Sequence, residues 1–281
     1  MRNTRRILLV HAHPDDESLT CGATMARYVA EGAAVTLVTC TLGEEGEILV
    51  PSLAEIGPDG ADQLGGYRIV ELERACAALG VTDHRFLGAA GHFRDSGMMG
   101  VPSNTAPRAF WGTPLDVAAR LLADIVEEVR PSVVVTYDER GGYGHPDHIQ
   151  AHRVTMRAVE LAAWPVAKVY WTAVPQSVRD AGLATVRDGG SPFTVPKDPD
   201  SLGFAVPDDV VTTRIEGVLE AKRAAMQAHA TQITVDGEFY ALSNDLGQPL
   251  LGVEHFRLVA GERGPGRGEH NWEDDLFAGL D

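Results

Sequence analysis

Short runs of consecutive apolar residues recur along the first two thirds of the chain, with stretches of helical spacing between them. The runs cover 6–11, 35–40, 132–137 and 167–174. Continuous apolar runs of this length are typical of parallel strands that are covered on both faces of a sheet. Apolar residues recur at three- and four-residue intervals in 20–31, 66–79, 114–130 and 147–163, which predicts helices. The alternation predicts an α/β fold, a Rossmann-like, doubly wound and mostly parallel sheet.

The pattern changes after residue 174. Glycine and proline interrupt the segment 176–209, which predicts an irregular connection. A helical pattern follows at 213–230, and the pair Asp236-Gly237 is a signal for a hairpin turn. We therefore predict a Rossmann-like domain at 1–174 and a smaller C-terminal α+β region at 175–281.

Charge and composition exclude several classes of protein. The 281 residues include 40 acidic and 24 basic ones, and the formal charge of −16 repels phosphate backbones and anionic membrane surfaces. We expect neither a nucleic-acid nor a membrane partner. The apolar run near the start is too short for a signal peptide, so we expect a cytoplasmic protein. The three cysteines are widely spaced and form no CxxC pair, so they indicate neither a disulfide framework nor a thiolate zinc site.

Two dense clusters of ionisable residues follow two of the predicted strands. The first is VHAHPDDES at 10–18, and the second is YDERGGYGHPDH at 137–148. In an open α/β sheet the binding crevice lies beyond the carboxyl ends of the strands. We therefore expect the two clusters to meet at one edge of the sheet.

The residue types of the clusters suit a metal ion. Zinc and iron(II) bind imidazole nitrogen and carboxylate oxygen, and a catalytic site uses three protein ligands with a position left for water. His13 and Asp16 can face one point across the turn at Pro14, and His148 is a candidate third ligand. Asp15 is then left as a candidate general base for water. The alternative is a pair of unrelated polar turns, since a single His-x-x-Asp is common at helix N-termini.

Three further residues of the second cluster are candidates for catalysis. His145 can act as an acid or as an electrostatic stabiliser, with Asp147 orienting it. Tyr143 can donate a hydrogen bond to a developing oxyanion. We interpret His11, His229 and His255 as structural histidines.

The two clusters resemble those of the PIG-L/LmbE-type zinc N-deacetylases. The resemblance extends to GATMARY, VTCTLGEEGEI, DQLGGYRI, RDSGM, HATQ and ALSN, and leaves only about 176–210 and the tail unmatched. Together these segments resemble the branch of the family that acts in mycothiol biosynthesis. The resemblance implies one zinc ion per subunit, with iron(II) as the alternative, bound by His13, Asp16 and His148. It implies Asp15 as general base, with the catalytic partners Tyr143, His145 and Asp147.

The resemblance also implies a substrate and its contacts. The expected reaction is hydrolysis of the acetyl group from the 2-amino group of a glucosaminyl-inositol, a small pseudodisaccharide. Arg68 and Asp95 match positions that hold the sugar and inositol hydroxyls, and Thr20 stands where serine is expected. The C-terminal region is expected to complete the substrate pocket. Alternatives are an amidase for mycothiol S-conjugates, a non-haem iron(II) oxygenase and a non-catalytic sugar-binding protein. The oligomeric state is left open.

Overall fold

The computed structural model describes residues 5–268 and 270–280, so residues 1–4, 269 and 281 lie outside the description. The strands are β1 (Arg6–His11), β2 (Ala34–Thr39), β3 (Asp83–Phe86), β4 (Val133–Thr136), β5 (Lys168–Ala173), β6 (Thr213–Glu216), β7 (Thr234–Asp236), β8 (Phe239–Ala241), β9 (Gln248–Pro249) and β10 (Val253–Ala260). The helices are α1 (Asp16–Ala30), α2 (Leu64–Leu79), α3 (Leu115–Val129), α4 (Gly141–Gly144), α5 (Pro146–Leu161), α6 (Gln176–Asp188) and α7 (Leu219–Ala228).

The main sheet has seven strands in the order β3-β2-β1-β4-β5-β10-β6. Neighbours from β3 to β5 are parallel, and β10 pairs antiparallel with both β5 and β6. The order 3-2-1-4-5 is that of a Rossmann-like sheet, so the predicted α/β fold is confirmed. Within the described residues, the helices are all too short or too polar to cross a membrane.

Strand β1 shows why the apolar runs form buried strands. Ile7 and Leu9 pack into the hydrophobic cluster beneath α1, α2 and α7, whereas Leu8 and Val10 pack into the cluster beneath α3 and α5. Successive side chains of a strand point to opposite faces. Because both faces of this strand are covered by helices, each of these positions is apolar.

The part of the chain after residue 174 differs in two places from the sequence prediction. A helix, α6, occupies the start of the segment predicted to be irregular, because this part contains a single glycine, Gly182, and the cluster of glycines and prolines begins only at Gly189. The predicted helix at 213–230 is divided into β6 and α7. In β6, Thr213 and Ile215 are buried while their neighbours are exposed, which is the two-residue period of a strand.

The C-terminal residues contribute to the main sheet as well as to a small separate one. Strands β10 and β6 extend the main sheet beyond β5, while β7, β8 and β9 form a three-stranded antiparallel sheet. The hairpin predicted at Asp236-Gly237 is confirmed by the pairing of β7 with β8. The division into domains at residue 174 stays a prediction.

Candidate metal centre

The sheet places the two ionisable clusters side by side. Strands β1 and β4 are parallel neighbours, although β2, β3 and three helices separate them in sequence. The chain continues from β1 outwards to β2 on one side and from β4 outwards to β5 on the other, so the order reverses here. The crevice at such a reversal is the usual ligand site of an open α/β sheet.

The turn after β1 brings three residues of the first cluster together. The main-chain N–H of His13 donates to Asp16 Oδ2 at 2.9 Å, which closes the turn at the start of α1. Asp15 lies inside it with φ 123° and ψ −34°. A left-handed φ is unfavourable for a residue other than glycine and costs about 1–3 kcal/mol. The rest of the site must hold Asp15 in this conformation.

The turn after β4 depends on glycine. Gly141 and Gly142 have φ values of 65° and 74°, and a Cβ at Gly141 would lie 2.6 Å from the Cβ of His148. Only a residue without a side chain permits this approach. Pro146 then opens α5, a favoured position for proline. His148 therefore lies in the first turn of α5 and faces the first cluster.

His13, Asp16 and His148 form a compact triad. His13 Nδ1 lies 3.3 Å from Asp16 Oδ2 and 3.2 Å from His148 Nε2, and these last two atoms are 3.3 Å apart. Ligand bonds of 2.0–2.1 Å in tetrahedral geometry separate ligand atoms by about 3.3 Å. The three atoms therefore match one face of a tetrahedral metal site. All three side chains are buried.

Hydrogen bonds outside the triad leave these nitrogens free to bind a metal. His148 Nδ1 lies 3.1 Å from the carbonyl oxygen of Gly141, a contact that directs Nε2 of the same ring at the triad. His13 Nε2 lies 3.3 Å from Asp147 Oδ2 and 3.4 Å from Asp95 Oδ1. A carboxylate that accepts the distal N–H of a ligating histidine is typical of metal sites.

Two other groups of donor atoms lie close enough together to hold a metal ion, His13 with His145 and His148, and His13 with Asp95 and Asp147. In the second group, the carboxylates already have other partners. Asp95 accepts the main-chain N–H groups of Glu45 and Gly97, and Asp147 Oδ2 accepts that of Ser96 at 2.8 Å. We therefore interpret these carboxylates as acceptors for His13.

Charges around the triad favour the ionised, ligating form of Asp16 and give this residue a lower pKa than its neighbour Asp15. Although burial acts to raise it, the pKa of Asp16 is held well below its usual range by His148 and His13. Burial raises the pKa of Asp15 to about 6, against the opposing effect of Arg68 and with a further contribution from the charge of Asp16. Titratable groups whose environments separate their pKa values can take different roles in one site.

Arg68 is an internal anchor in this structure. Its Nη2 donates to Asp15 Oδ2 at 3.0 Å and also to the carbonyl oxygen of Pro14, and its Nη1 donates to that of Gly43 at 2.7 Å. The residue is only 2% exposed. We expected Arg68 to be open to substrate hydroxyls, but α2 instead directs its guanidinium against the turn that carries Asp15. A direct contact with substrate stays a prediction.

Asp95 and Thr20, the other two residues predicted to contact substrate, also form hydrogen bonds within the protein. Asp95 is buried, and its two oxygens accept the hydrogen bonds described above. Burial acts to raise the pKa of Asp95, but the neighbouring His13 outweighs this effect and lowers it. Thr20 donates to the carbonyl oxygen of Asp16 at 2.8 Å and lines a cavity of about 290 Å³ that opens beside the triad. Contacts of Asp95 and Thr20 with substrate therefore stay predictions.

His145 faces the triad, although its contact with Asp147 differs from the expected one. The main-chain N–H of Asp147 donates to His145 Nδ1 at 3.1 Å, while the carboxylate of Asp147 is directed at His13. Burial, with His13 and His148, lowers the pKa of His145 to about 2. Because its Nδ1 accepts a hydrogen bond, the neutral ring carries its proton on Nε2.

Tyr143 lies at the mouth of the site. Its ring centroid is 4.8 Å from that of His148, and the residue is nearly half exposed. Desolvation and the charge of Asp16 raise the pKa of Tyr143, so the hydroxyl keeps its proton. The flanking Gly142 and Gly144, both with positive φ, place this side chain on a turn with few constraints of its own.

Comparison with known proteins assigns the chain to a family. A family model described as "PIG-L: GlcNAc-PI de-N-acetylase" matches residues 8–159, which include both clusters and all members of the triad. The chain belongs to the PIG-L family. The resemblance of HPDDE and GHPDH to this family is thereby confirmed.

Relatives within the PIG-L family match the whole chain. A protein of Geodermatophilus obscurus named 1D-myo-inositol 2-acetamido-2-deoxy-alpha-D-glucopyranoside deacetylase is 61% identical, covering 100% of this chain and 99% of its own. A protein of the same name from Acidothermus cellulolyticus is 60% identical, covering 99% and 96%. Among solved structures, GalB, the 4-carboxy-2-hydroxymuconate hydratase from Pseudomonas putida, is 18% identical with a TM-score of 0.58, covering 94% and 100%. That likeness supports the fold alone.

Sequence reasoning missed one residue that supports the triad of this PIG-L protein. The ring of Tyr137 stacks on that of His148 with a centroid distance of 4.3 Å, and its hydroxyl accepts the main-chain N–H of Ala12 at 2.8 Å. Tyr137 thereby links the end of β4 to the turn after β1. Its position at the start of the second cluster was the only signal for this role in the sequence.

Proposed function

We propose that the protein hydrolyses the acetamide of 1D-myo-inositol 2-acetamido-2-deoxy-α-D-glucopyranoside, releasing acetate and the free amine. The observation that carries this proposal is the triad of His13, Asp16 and His148 with a separate carboxylate, Asp15, beside it. Hydrolysis of an amide needs a polarised carbonyl, an activated water and a proton acceptor. The names of the relatives, at 60–61% identity over the whole chain, supply the substrate.

We assign the triad to one Zn²⁺ ion, with Fe²⁺ as the alternative, because two imidazoles and one carboxylate suit both ions. A bound ion of this kind lowers the pKa of water and polarises a carbonyl oxygen. The pairwise distances of 3.2–3.3 Å within the triad would allow the three donor atoms to hold a single ion. The remaining residues of the site must then handle protons and orient the amide.

We assign proton transfer to Asp15 and stabilisation of charge to His145 and Tyr143. With a pKa of about 6, Asp15 is largely ionised at neutral pH and is basic enough to accept a proton from water, which it would then pass to the departing amine nitrogen. Its contact with Arg68 orients the carboxylate. The Nε2–H of neutral His145 and the hydroxyl of Tyr143 are donors for a developing oxyanion. Asp147 acts on this site by two contacts, one to each of the rings of His13 and His145.

The cavity beside the triad favours a second candidate, an amidase for mycothiol S-conjugates. Its lining includes Asp16, Thr20 and Tyr143, together with an apolar wall to which Leu183 and Phe204 contribute. An acetyl group is too small to need such a wall, whereas a larger acyl group with an apolar substituent can be buried there. One pocket can serve both amides at different rates.

The test is release of primary amine from both substrates by the metal-loaded protein. We predict a higher kcat/KM for the N-acetyl substrate than for a bulky S-conjugate. The reverse order would make the protein an amidase, and no amine from either substrate would refute both assignments. A cytoplasmic location stays a prediction, which fractionation of cells that express the protein would test.

A further inference from the structure

A buried ion pair lies directly behind Asp15. Glu17 and His229 are both 0% exposed, and His229 Nε2 lies 2.7 Å from Glu17 Oε1. The hydroxyl of Ser18 donates to the same oxygen at 2.5 Å. The other oxygen, Oε2, accepts the main-chain N–H of Asp15 at 2.9 Å. A chain of contacts thus runs from His229 through Glu17 to the residue whose φ is 123°.

His229 is itself firmly held. It lies at the end of α7, and its carbonyl oxygen accepts the main-chain N–H groups of Gln232 and Ile233, each at 2.9 Å. Thr231, in the same turn, is bound by a second buried glutamate: Glu71 accepts its main-chain N–H at 2.8 Å and its hydroxyl at 2.7 Å. The imidazole is therefore presented to Glu17 from a rigid turn.

We propose that Glu17 and His229 form a positioning pair for Asp15: the imidazole orients the Glu17 carboxylate, which holds the N–H of Asp15 and keeps this residue in its left-handed conformation. Hydrogen bonds to an ionised carboxylate are about twice as strong as those between neutral groups. A buried carboxylate requires donors of its own to stay in place. His229 and Ser18 are those donors for Glu17.

Within the described residues, Asp15 is the catalytic group to which the pair is hydrogen-bonded. Arg68 fixes the carboxylate of Asp15, whereas Glu17 fixes its main chain. The ligand Asp16 is held separately, by the N–H of His13. Loss of the pair should therefore misplace the base and leave the metal ligands in place. This role rests on the proposed function, in which Asp15 is the base.

The test compares four variants with the wild-type, zinc-loaded protein. His229→Leu removes the donor, His229→Gln retains an amide donor near the same place, and Glu17→Met removes the acceptor. Thr231→Val is the matched control, since it removes a buried hydroxyl from the same turn and leaves Glu71 with one partner fewer, without touching Glu17. We expect kcat for the N-acetyl substrate to fall about 10²-fold in His229→Leu and Glu17→Met. KM should be unchanged, and His229→Gln should largely restore kcat. Thr231→Val keeps the main-chain N–H contact of this turn with Glu71, so it should lose far less activity than His229→Leu.

Two measurements separate positioning from a general effect on the fold. Affinity for Co²⁺, followed by its visible absorption, should be the same in His229→Gln, His229→Leu and wild type. In a double-mutant cycle, Asp15→Asn combined with His229→Leu should be no slower than Asp15→Asn alone, because the pair acts only through Asp15. Additive losses, a parallel loss of cobalt affinity, or equal losses in His229→Leu and Thr231→Val would overturn the proposal.

A crystal structure of Glu17→Met tests the same idea without activity. We expect Asp15 to leave the left-handed region, and an unchanged φ near 120° would overturn the positioning role. If Glu17→Met does not fold, the comparison of His229→Leu with His229→Gln and Thr231→Val still decides whether the pair positions Asp15. If wild-type protein releases no amine, the proposed function fails, whereas the torsion angle and the cobalt affinities still decide whether the pair holds Asp15.

Discussion

Replacing Asp15 by asparagine removes the proposed base and changes little else. The asparagine Oδ1 can still accept from Arg68 Nη2, which lies 3.0 Å from Asp15 Oδ2, and the main-chain N–H keeps its contact with Glu17. The triad of His13, Asp16 and His148 does not include this side chain. We therefore expect Asp15→Asn to bind one equivalent of metal, as wild type does.

The expected loss of rate follows from the charge of the carboxylate. A pKa of about 6 leaves about 90% of Asp15 ionised at pH 7. A general base contributes on the order of 10²–10⁴-fold, so kcat should fall by that factor, which is about 3–5 kcal/mol in the activation free energy. A cation at the triad would bring the pKa of Asp15 below this value, since positive charge favours the ionised carboxylate. Activity of the wild type is therefore lost as pH falls through a value at or below about 6.

The assay is acetate release from the N-acetyl substrate across pH 4.5–8, with metal content measured on the same samples. The adjacent variant Asp16→Asn is the control, because it removes a proposed ligand and should lose metal together with activity. If Asp15→Asn lost its metal while metal-supplemented protein kept the wild-type rate, Asp15 would be a ligand. An acid limb that persists unchanged in Asp15→Asn would assign the base to another group.

Three further predictions test other parts of the structure. Because Arg68 contacts the base, Arg68→Met should lower kcat about 10–100-fold. The factor should be equal for the inositol-bearing substrate and for N-acetylglucosamine, and a loss confined to the inositol-bearing substrate would mean that Arg68 binds inositol. Lys168→Met leaves the fully buried Glu273 without its cation and should reduce the free energy of unfolding in urea by about 3–5 kcal/mol, whereas a change below about 1 kcal/mol would contradict this. Burial, followed by the charge of Arg214, lowers the pKa of His255 from 6.5 to about 4. As pH falls from 6.5 to 4, His255 is therefore protonated in the unfolded chain before it is protonated in the folded protein, and the free energy of unfolding decreases. His255→Gln should remove up to about 3 kcal/mol of that loss, and parallel stability curves for the two proteins would refute it.

The location of the candidate metal centre was predictable because it depends on local pattern and one rule of topology. The apolar runs that become β1 and β4 mark buried strands, and the clusters that contain His13 and His148 follow them directly. In a sheet of this class, the ends of such strands share one edge. The contact between His13 and Asp16 needed only a turn of three residues.

The partners of the catalytic groups were not predictable, because they come from parts of the chain that meet only in the fold. His229 lies 212 residues after Glu17 and was interpreted as a structural histidine, since nothing near it in sequence pairs with it. Arg68 shares a helix with apolar residues, but its direction depends on how α2 packs against the turn at Asp15. The contact of Asp147 with His13 likewise depends on the approach of α5 to β1.

Strands β10 and β6 escaped prediction for a similar reason. In β10 the sequence VEHFRLVA mixes charged and apolar residues, and its place in the sheet depends on antiparallel pairing with β5, about 80 residues earlier in the chain. Pairing over such a distance leaves no periodic signal at the position itself. Local spacing instead favoured a helix across β6 and α7.

The central claim is that one divalent ion held by His13, Asp16 and His148 enables hydrolysis of the N-acetyl substrate. The most direct measurement is the release of acetate and free amine by chelator-treated protein before and after addition of one equivalent of Zn²⁺ or Fe²⁺, with His148→Ala treated in the same way. We predict no turnover without metal, recovery at one equivalent in the wild type, and neither binding nor recovery at that equivalent in His148→Ala. Full activity in metal-free protein, or normal recovery in His148→Ala, would contradict the account.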